Sequence, residues 1–269
     1  TPPVIMIGKD KTWSPTDAHA NGAAMPRKWG LAASSNSLSA FLMQQFGPEA
    51  VVKQMHKMGI NSHIEPVASL CVGSADLSVF EMVSAYNTFP SLGVYTYPMF
   101  VTRIEDSEGN VLGRYSPRRR ESIGEIASYK MIGMMRGVVD GGTGGRLRGS
   151  KYGLKGDIAG KTGTTNDNSD GWFIAYTPNI TAGAWVGGED RYVHFNNGAL
   201  GQGANMALPI WGIWMKKVLA DGTLGISADD RFPEGANSSY CEGAVLLGGE
   251  HGGGAQGSEM EVLEDYYFE

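Results

Sequence analysis

Lys161-Thr162-Gly163-Thr164-Thr165 is the stretch of this 269-residue chain whose residue types and spacing best suit chemistry. It closes a short segment, Ile158 to Thr162, that reads as a strand. Two kinds of chemistry fit such a run. A phosphate-binding loop needs a glycine, four residues, and then Gly-Lys-Thr. Counting back from Gly160, the required glycine falls on Lys155, and Gly156 comes one residue late. A helix must also follow, to aim its N-terminus at phosphate. Asn166-Asp167-Asn168-Ser169-Asp170-Gly171 predicts a turn instead. The phosphate reading fails on both counts. The other reading is a receptor for a peptide ending in a carboxylate. A strand edge can accept an extended peptide as an added strand. The Lys161 ammonium and the threonine hydroxyls would bind the carboxylate. Gly163 removes a side chain that would block close approach. An amide just past that glycine can point at a developing oxyanion.

Other chemistries are poorly served. Cys71 and Cys241 lie 170 residues apart, which excludes a disulfide framework and a Cys-x-x-Cys site. The five histidines show no metal-binding spacing, so neither a metal nor any cofactor is expected. The net charge of −6 divides unevenly: residues 221–269 hold eleven acidic groups and one basic group, Arg231. The remaining body is only mildly basic, which argues against a nucleic-acid partner. The longest largely apolar stretch, Met206 to Met215, is far too short to span a membrane.

The elements that must position the lysine read as follows. Leu38 to Phe46 and the segment from Pro48 to Gly59 predict two helices, the second carrying Val51, Val52, Met55 and Met58 on one face. Ser78-Val79-Phe80-Glu81 has the form of a capping box opening a helix to about Phe89. Alternation on either side of Ser107-Glu108-Gly109-Asn110 predicts a hairpin. Pro117-Arg118-Arg119-Arg120 reads as a solvated charge run. A long helix spans about Glu125 to Val139 and stops at Gly141-Gly142-Thr143-Gly144. Ile158 to Thr162, Trp172 to Tyr176 and Thr181 to Val186 predict strands joined too closely for crossover helices, hence antiparallel. A last helix, about Met206 to Leu219, is expected to turn Ile210, Ile213, Trp214 and Val218 inward. The class is α+β, an antiparallel sheet flanked by helices. Residues 1–220 form one domain. Residues 221–269, with ten glycines, form an acidic, Gly-rich and flexible tail in which Ala244-Val245-Leu246-Leu247 and Tyr266-Tyr267-Phe268 are the segments able to dock.

Ser34-Ser35-Asn36 alone reads as a plain helix cap. In context it does more. The run Trp29-Gly30-Leu31-Ala32-Ala33-Ser34-Ser35-Asn36-Ser37-Leu38-Ser39-Ala40 resembles the Ser-x-Asn region of class A high-molecular-weight penicillin-binding proteins, of the 1A type. Ala75 to Phe89, Gly142-Thr143-Gly144, the Lys161 run, Asp170 to Pro178 and Ala207-Leu208-Pro209-Ile210-Trp211 resemble the same family, in family order. The resemblance covers about residues 10 to 220. It implies a five-stranded antiparallel sheet, the penicillin-binding transpeptidase and serine β-lactamase fold, and transpeptidation of D-Ala-D-Ala stem peptides through an acyl-serine outside the cytoplasmic membrane. β-Lactams would bind at the same place. By the same resemblance Ser34 relays a proton to the leaving amine. Asn36 hydrogen-bonds the substrate amide and holds the lysine of the family's nucleophile motif. Lys161 and Thr162 bind the terminal carboxylate, Gly163 and Thr165 complete the substrate-binding run, and the Thr164 amide is half of an oxyanion hole. The Ser34 hydroxyl is then expected within hydrogen-bond reach of Lys161, roughly 3 Å.

The departure is as informative as the match. The family nucleophile is the serine of a Ser-x-x-Lys motif upstream of Ser-x-Asn, and no serine here has a lysine three residues later. The chain therefore resembles an N-terminally truncated domain whose parent also carries a glycosyltransferase and a membrane anchor. Membrane contact would come only through that upstream part. Two alternatives stand beside this reading: a binding fragment without chemistry of its own, and a serine β-lactamase. The second would need a glutamate-activated water, for which no motif is evident.

Overall fold

The computed structural model describes residues 3–6, 12–17 and 26–233. Strands β1 (Ile5–Met6) and β2 (Thr12–Trp13) pair antiparallel, where the sequence predicts loop alone. Helices α1 (Arg27–Ala32), α2 (Asn36–Phe46), α3 (Pro48–Lys57) and α4 (Val79–Tyr86) follow. Next come β3 (Val94–Thr96), β4 (Arg103–Glu105), β5 (Val111–Arg114) and β6 (Arg119–Glu121), then the long helix α5 (Glu125–Gly141). The second half holds β7 (Ala159–Thr164), β8 (Asp170–Tyr176), β9 (Thr181–Gly187), α6 (Gly198–Gly201) and α7 (Gly203–Ala220).

The main sheet runs β7-β8-β9, all antiparallel. Among the described residues it has three strands, not the five that the resemblance implies. Strand β8 is central and buried on both faces, so its side chains read as a nearly continuous apolar run. Phe173 and Ala175 join Leu208, Trp211 and Met215 of α7 in one cluster. Tyr176 joins Ile132 and Met135 of α5, with Phe89, in another. The sheet is thus filled between helices, as the α+β reading requires.

Three local readings need correction. Helix α7 buries Ala207, Leu208, Trp211, Met215 and Val218, while Ile210, Ile213 and Trp214 lie outside, 51%, 52% and 38% exposed. The helix is apolar on every side, so periodicity could not select its inward face. Close approach did: a Cβ on Gly212 would stand 2.9 Å from the Tyr152 ring, so only this small residue lets the helix settle there. The arginine run is exposed, as the sequence predicts, but it is not irregular: Arg119 and Arg120 belong to strand β6, which pairs with β3. The guanidinium of Arg120 stacks over Tyr95 and Tyr97 at 5.2 and 5.4 Å, with Arg118 over Tyr97 at 5.3 Å. Helix α4 ends at Tyr86, three residues early, and its capping box is half formed. The Ser78 hydroxyl accepts the Glu81 amide as expected. The Glu81 carboxylate, however, takes hydrogen bonds from the Asn61 and Ser62 amides. Burial opposes its charge, but these bonds and those from the Ser62 and Ser78 hydroxyls hold it at about 2.

The body continues past residue 220. Phe232 is 3% exposed and its ring meets Tyr176. Its amide donates to Asp157 Oδ2 at 2.9 Å, and Asp157 Oδ1 pairs with Arg136 at 3.0 Å. A carboxylate 6% exposed thus fastens α5 to the C-terminal segment. The expectations for the rest of the tail fall on residues 234–269, outside the described residues. Removing the buried Asp157 carboxylate leaves a half-buried Arg136 guanidinium without its ion pair and the Phe232 amide without its acceptor. We expect Asp157→Ala to lower stability by about 3 kcal/mol in denaturant titration. A change below about 0.5 kcal/mol would show that the pair is solvated and contributes little.

Candidate active site

Lys161 and Ser34 are 127 residues apart and meet: the ammonium donates to Ser34 Oγ at 2.8 Å. It also donates to the Thr162 carbonyl at 2.9 Å. Burial in this cleft lowers the Lys161 ammonium from its usual range to about 8.

Each partner is placed by identifiable local structure. Ser34 terminates α1. Its amide bonds the Leu31 carbonyl, the Ser35 amide bonds the Gly30 carbonyl, and its φ is 58°. This is a Schellman closure in which serine occupies the left-handed position that glycine usually takes. The backbone there is strained, and the strain sits at the residue that meets Lys161. Ser35 then caps α2, its hydroxyl accepting the Leu38 amide at 3.2 Å. Asp17 binds both the Ser35 hydroxyl and the Ser37 amide, each at 3.1 Å. Partial burial works against its ionised form, yet these bonds keep Asp17 below the usual carboxylate range.

Strand β7 presents Lys161 from a sheet margin. Its register with β8 runs unbroken from Ala159 to Thr164, and the Thr165 amide bonds the Asp170 carbonyl at 3.1 Å. Antiparallel alternation then turns the main chain of Thr162 and Thr164 away from β8, towards an edge that pairs with no strand among the described residues. The Lys161 ammonium caps the Thr162 carbonyl on that edge. The Thr164 amide faces the same way.

Two glycines let neighbouring elements close on β7. A Cβ on Gly142 would lie 2.3 Å from the Ala32 carbonyl oxygen, and one on Gly203 would lie 2.0 Å from that of Gly163. The first contact joins the end of α5 to the α1–α2 corner, where the Thr143 amide bonds the same Ala32 carbonyl at 3.1 Å. The Thr143 hydroxyl then reaches Thr162 Oγ1 at 2.7 Å. The second contact sets the α7 N-terminus on the strand end, where the Gly203 amide donates to Thr164 Oγ1 at 2.9 Å.

Ser34, Lys161, Thr162, Gly163 and Thr164 therefore lie together along one edge. Asn36 and Thr165 are engaged elsewhere. The Asn36 amide donates to the Thr16 carbonyl at 2.9 Å. Thr165 Oγ1 accepts the Asp170 amide at 2.7 Å and meets Ser169 Oγ at 2.9 Å, closing the β7–β8 turn. Thr143 and Asp17 escaped the residue-by-residue reading. Thr143 stands in the Gly142-Thr143-Gly144 match, a signal that flagged the stretch but gave no role. Asp17 has no motif; only the fold reveals its contact with α2. The described residues contain no cluster suited to a metal ion.

This geometry accords with what comparison finds. The family of the penicillin binding protein transpeptidase domain matches residues 6–190. The chain belongs to that family. Penicillin-binding protein 1A of Aquifex aeolicus is 34% identical over 191 residues, 71% of this chain and 25% of the relative. The protein of the same description from Neisseria meningitidis serogroup B is 28% identical over 251 residues, 89% of this chain and 30% of that one. The chain thus spans less than a third of the length of these relatives. Among solved structures, penicillin-binding protein 1A from Haemophilus influenzae superposes with a TM-score of 0.75 at 22% identity, covering 82% of this chain and 38% of that one. Penicillin-binding protein PonA1 from Mycobacterium tuberculosis gives 0.67 at 25% identity, covering 88% and 67%. The fold is the penicillin-binding transpeptidase fold.

The strain at Ser34 makes the corner testable. Ser34→Gly relieves the left-handed backbone while removing the hydroxyl, whereas Ser34→Ala keeps the strain. We expect the glycine variant to be more stable than the alanine variant by about 1 kcal/mol in thermal unfolding. Equal stabilities would mean that the corner relaxes without cost.

Proposed function

We propose that this chain supplies the substrate-binding edge and proton-relay half of a D,D-transpeptidase that cross-links D-Ala-D-Ala stem peptides of peptidoglycan. The observation that carries this is the 2.8 Å contact of Lys161 with Ser34 beside an unpaired strand edge. An extended stem peptide adds to β7 through the outward main chain of Thr162 and Thr164. Its terminal carboxylate meets the Lys161 ammonium and the Thr162 hydroxyl, which Thr143 orients. The Thr164 amide donates to the oxyanion as the scissile carbonyl is attacked. Ser34, polarised by the adjacent cation, passes its proton to the leaving amine. Asn36 acts on the substrate amide only after releasing Thr16. Gly163 permits close approach, and Thr165 serves by holding the strand end.

The acyl-accepting serine is not among these 269 residues, since none has a lysine three residues on. We place it in a different segment of the parent protein, together with a glycosyltransferase and an anchor that hold the domain on the outer face of the cytoplasmic membrane. No helix among the described residues is long and apolar enough to cross a membrane. The solved structure of PonA1 from Mycobacterium tuberculosis in complex with penicillin V supports β-lactam binding, which this reading assigns to the same edge. Acylation needs a nucleophile with an adjacent base, so the chain as given binds without reacting. Intact-mass spectrometry after incubation with a penicillin is expected to show no covalent adduct. A stoichiometric mass increase mapping to any serine here would overturn that.

The lysine gives binding a pH signature. Lys161 loses its charge as pH rises through about 8, so the ammonium that attracts a carboxylate is present below that value and absent above it. Affinity for a D-Ala-D-Ala peptide is expected to fall about tenfold per pH unit between about pH 8 and pH 10. A bound carboxylate favours the ammonium, so binding in that window takes up a proton. Calorimetry in buffers of different ionisation enthalpy measures this uptake. An affinity independent of pH would remove Lys161 from the carboxylate site.

A further inference from the structure

Away from β7, a groove of about 560 Å³ runs between α3 and β6, lined by Lys53, Lys57 and Arg120. All three side chains are exposed, and none forms an ion pair among the described residues. Lys53 and Lys57 stand four residues apart, so they share one face of α3. Arg120 lies across from them on β6 and is fixed in place. Its guanidinium rests over the Tyr95 and Tyr97 rings, and Nη2 donates to the His56 carbonyl at 2.8 Å. The rest of the planar fork remains available to a ligand. Gln54 Nε2 donates to the Ser122 carbonyl at 3.0 Å, a second tie between the same two walls. The walls are therefore set before any ligand arrives, which lowers the cost of binding one.

The lining sets the charge of the ligand. Glu49 is the one carboxylate in the groove, and it stands in the first turn of α3, where the helix dipole favours an acid. Three cations against one carboxylate leave a surplus of two positive charges, His56 aside. A phosphate monoester carries about two negative charges at pH 7. Its oxygens can meet an arginine fork and lysine ammonium groups from different directions. A carboxylate brings one charge, and the fork alone saturates it. Val52 and Pro66 give the groove an apolar side, suited to the organic body that carries the phosphate.

We propose that this groove is a binding site for an organic phosphate monoester, held by Arg120, Lys53 and Lys57 with its body against Val52 and Pro66. A second basic cluster, Lys151, Lys216 and Lys217, contains no arginine and is the natural control. The proposal is independent of the transpeptidase reading, since it uses none of the residues at the β7 edge.

The test is titration of the full chain with phenyl phosphate, followed through backbone amide shifts by NMR. Saturable shifts are expected on α3 and β6, around Lys53, Lys57 and Arg120. Benzoate, which lacks the second charge, is expected to bind about tenfold more weakly. Inorganic phosphate, which lacks the apolar body, should bind the same residues about threefold more weakly. Lys53→Gln with Lys57→Gln should weaken phenyl phosphate about tenfold. Arg120→Lys, which keeps the charge and loses the fork, should weaken it about threefold. Should these variants melt at lower temperature, raising salt to about 0.5 M with the unaltered chain gives the same reading, because screening weakens exposed charge pairs. Shifts centred on Lys161 or on the Lys151 cluster would overturn the proposal. So would benzoate or inorganic phosphate binding as tightly as phenyl phosphate, an affinity indifferent to both the lysine substitutions and salt, or no saturation below about 50 mM.

Discussion

The unpaired edge of β7 is the constraint on which the rest depends. One side of the strand is fixed by its register with β8, so its outward main chain belongs to Thr162 and Thr164. Three chain segments then have to arrive at that strand: the α1–α2 corner, the end of α5 and the start of α7. They arrive only because backbone meets backbone at Gly142 and Gly203, where any Cβ would overlap a carbonyl oxygen. Together these two glycines decide whether Ser34, Thr143 and the α7 amide reach the strand.

The site is held in a configuration that folding alone would not favour. Lys161 is ionised where burial disfavours charge, and its compensation is one hydroxyl and one carbonyl, both neutral. Ser34 adopts a left-handed backbone without being glycine. Both features bring unsatisfied potential to one point: a cation short of an anion, and a hydroxyl fixed against it. On the proposed function, an incoming carboxylate would supply what Lys161 lacks, and its binding would relieve a cost already present in the free domain. The stability that offsets these local penalties comes from elsewhere. It lies in the apolar layers on either side of β8 and in the buried Arg136–Asp157 pair.

How far the sequence was legible follows from how local each signal is. The three strands of the main sheet, the helices after Ser35 and Pro48, and the stop of α5 near Gly141 were readable because turns, caps and alternation are encoded within a few residues. The inward face of α7 was not. Its outcome rested on a single close approach to Tyr152, which no periodicity contains. The arginine run became strand β6 because Tyr95 on β3 and Tyr97 just beyond it offered ring faces to its guanidinium groups, a partnership between residues more than twenty positions apart. At the site, Lys161 was visible through its neighbours and Ser34 through resemblance. Asp17 and Thr143 act by contacts made only after folding. The Thr165 hydroxyl closes a turn, since a hydroxyl next to Asn-Asp-Asn-Ser-Asp finds partners at once, a contact that its place in the Lys161 run does not reveal.

An open strand edge invites other strands, and most proteins blunt theirs with charge or interruption. On the proposed function, the blunting and the binding use the same atoms. β7 reads Ala-Gly-Lys-Thr-Gly-Thr, with no β-branched aliphatic or aromatic residue to make an adhesive ladder. Its lysine folds back onto the outward carbonyl of Thr162, occupying the group that a foreign strand would seek. A ligand with a terminal carboxylate can displace that contact, because it offers the ammonium a better partner than a neutral carbonyl. A chain segment without a carboxylate has less to offer the ammonium. On the proposed function, the one hydrogen bond that covers the outward Thr162 carbonyl would thus discourage strands in general and yield to a peptide that ends beside Lys161.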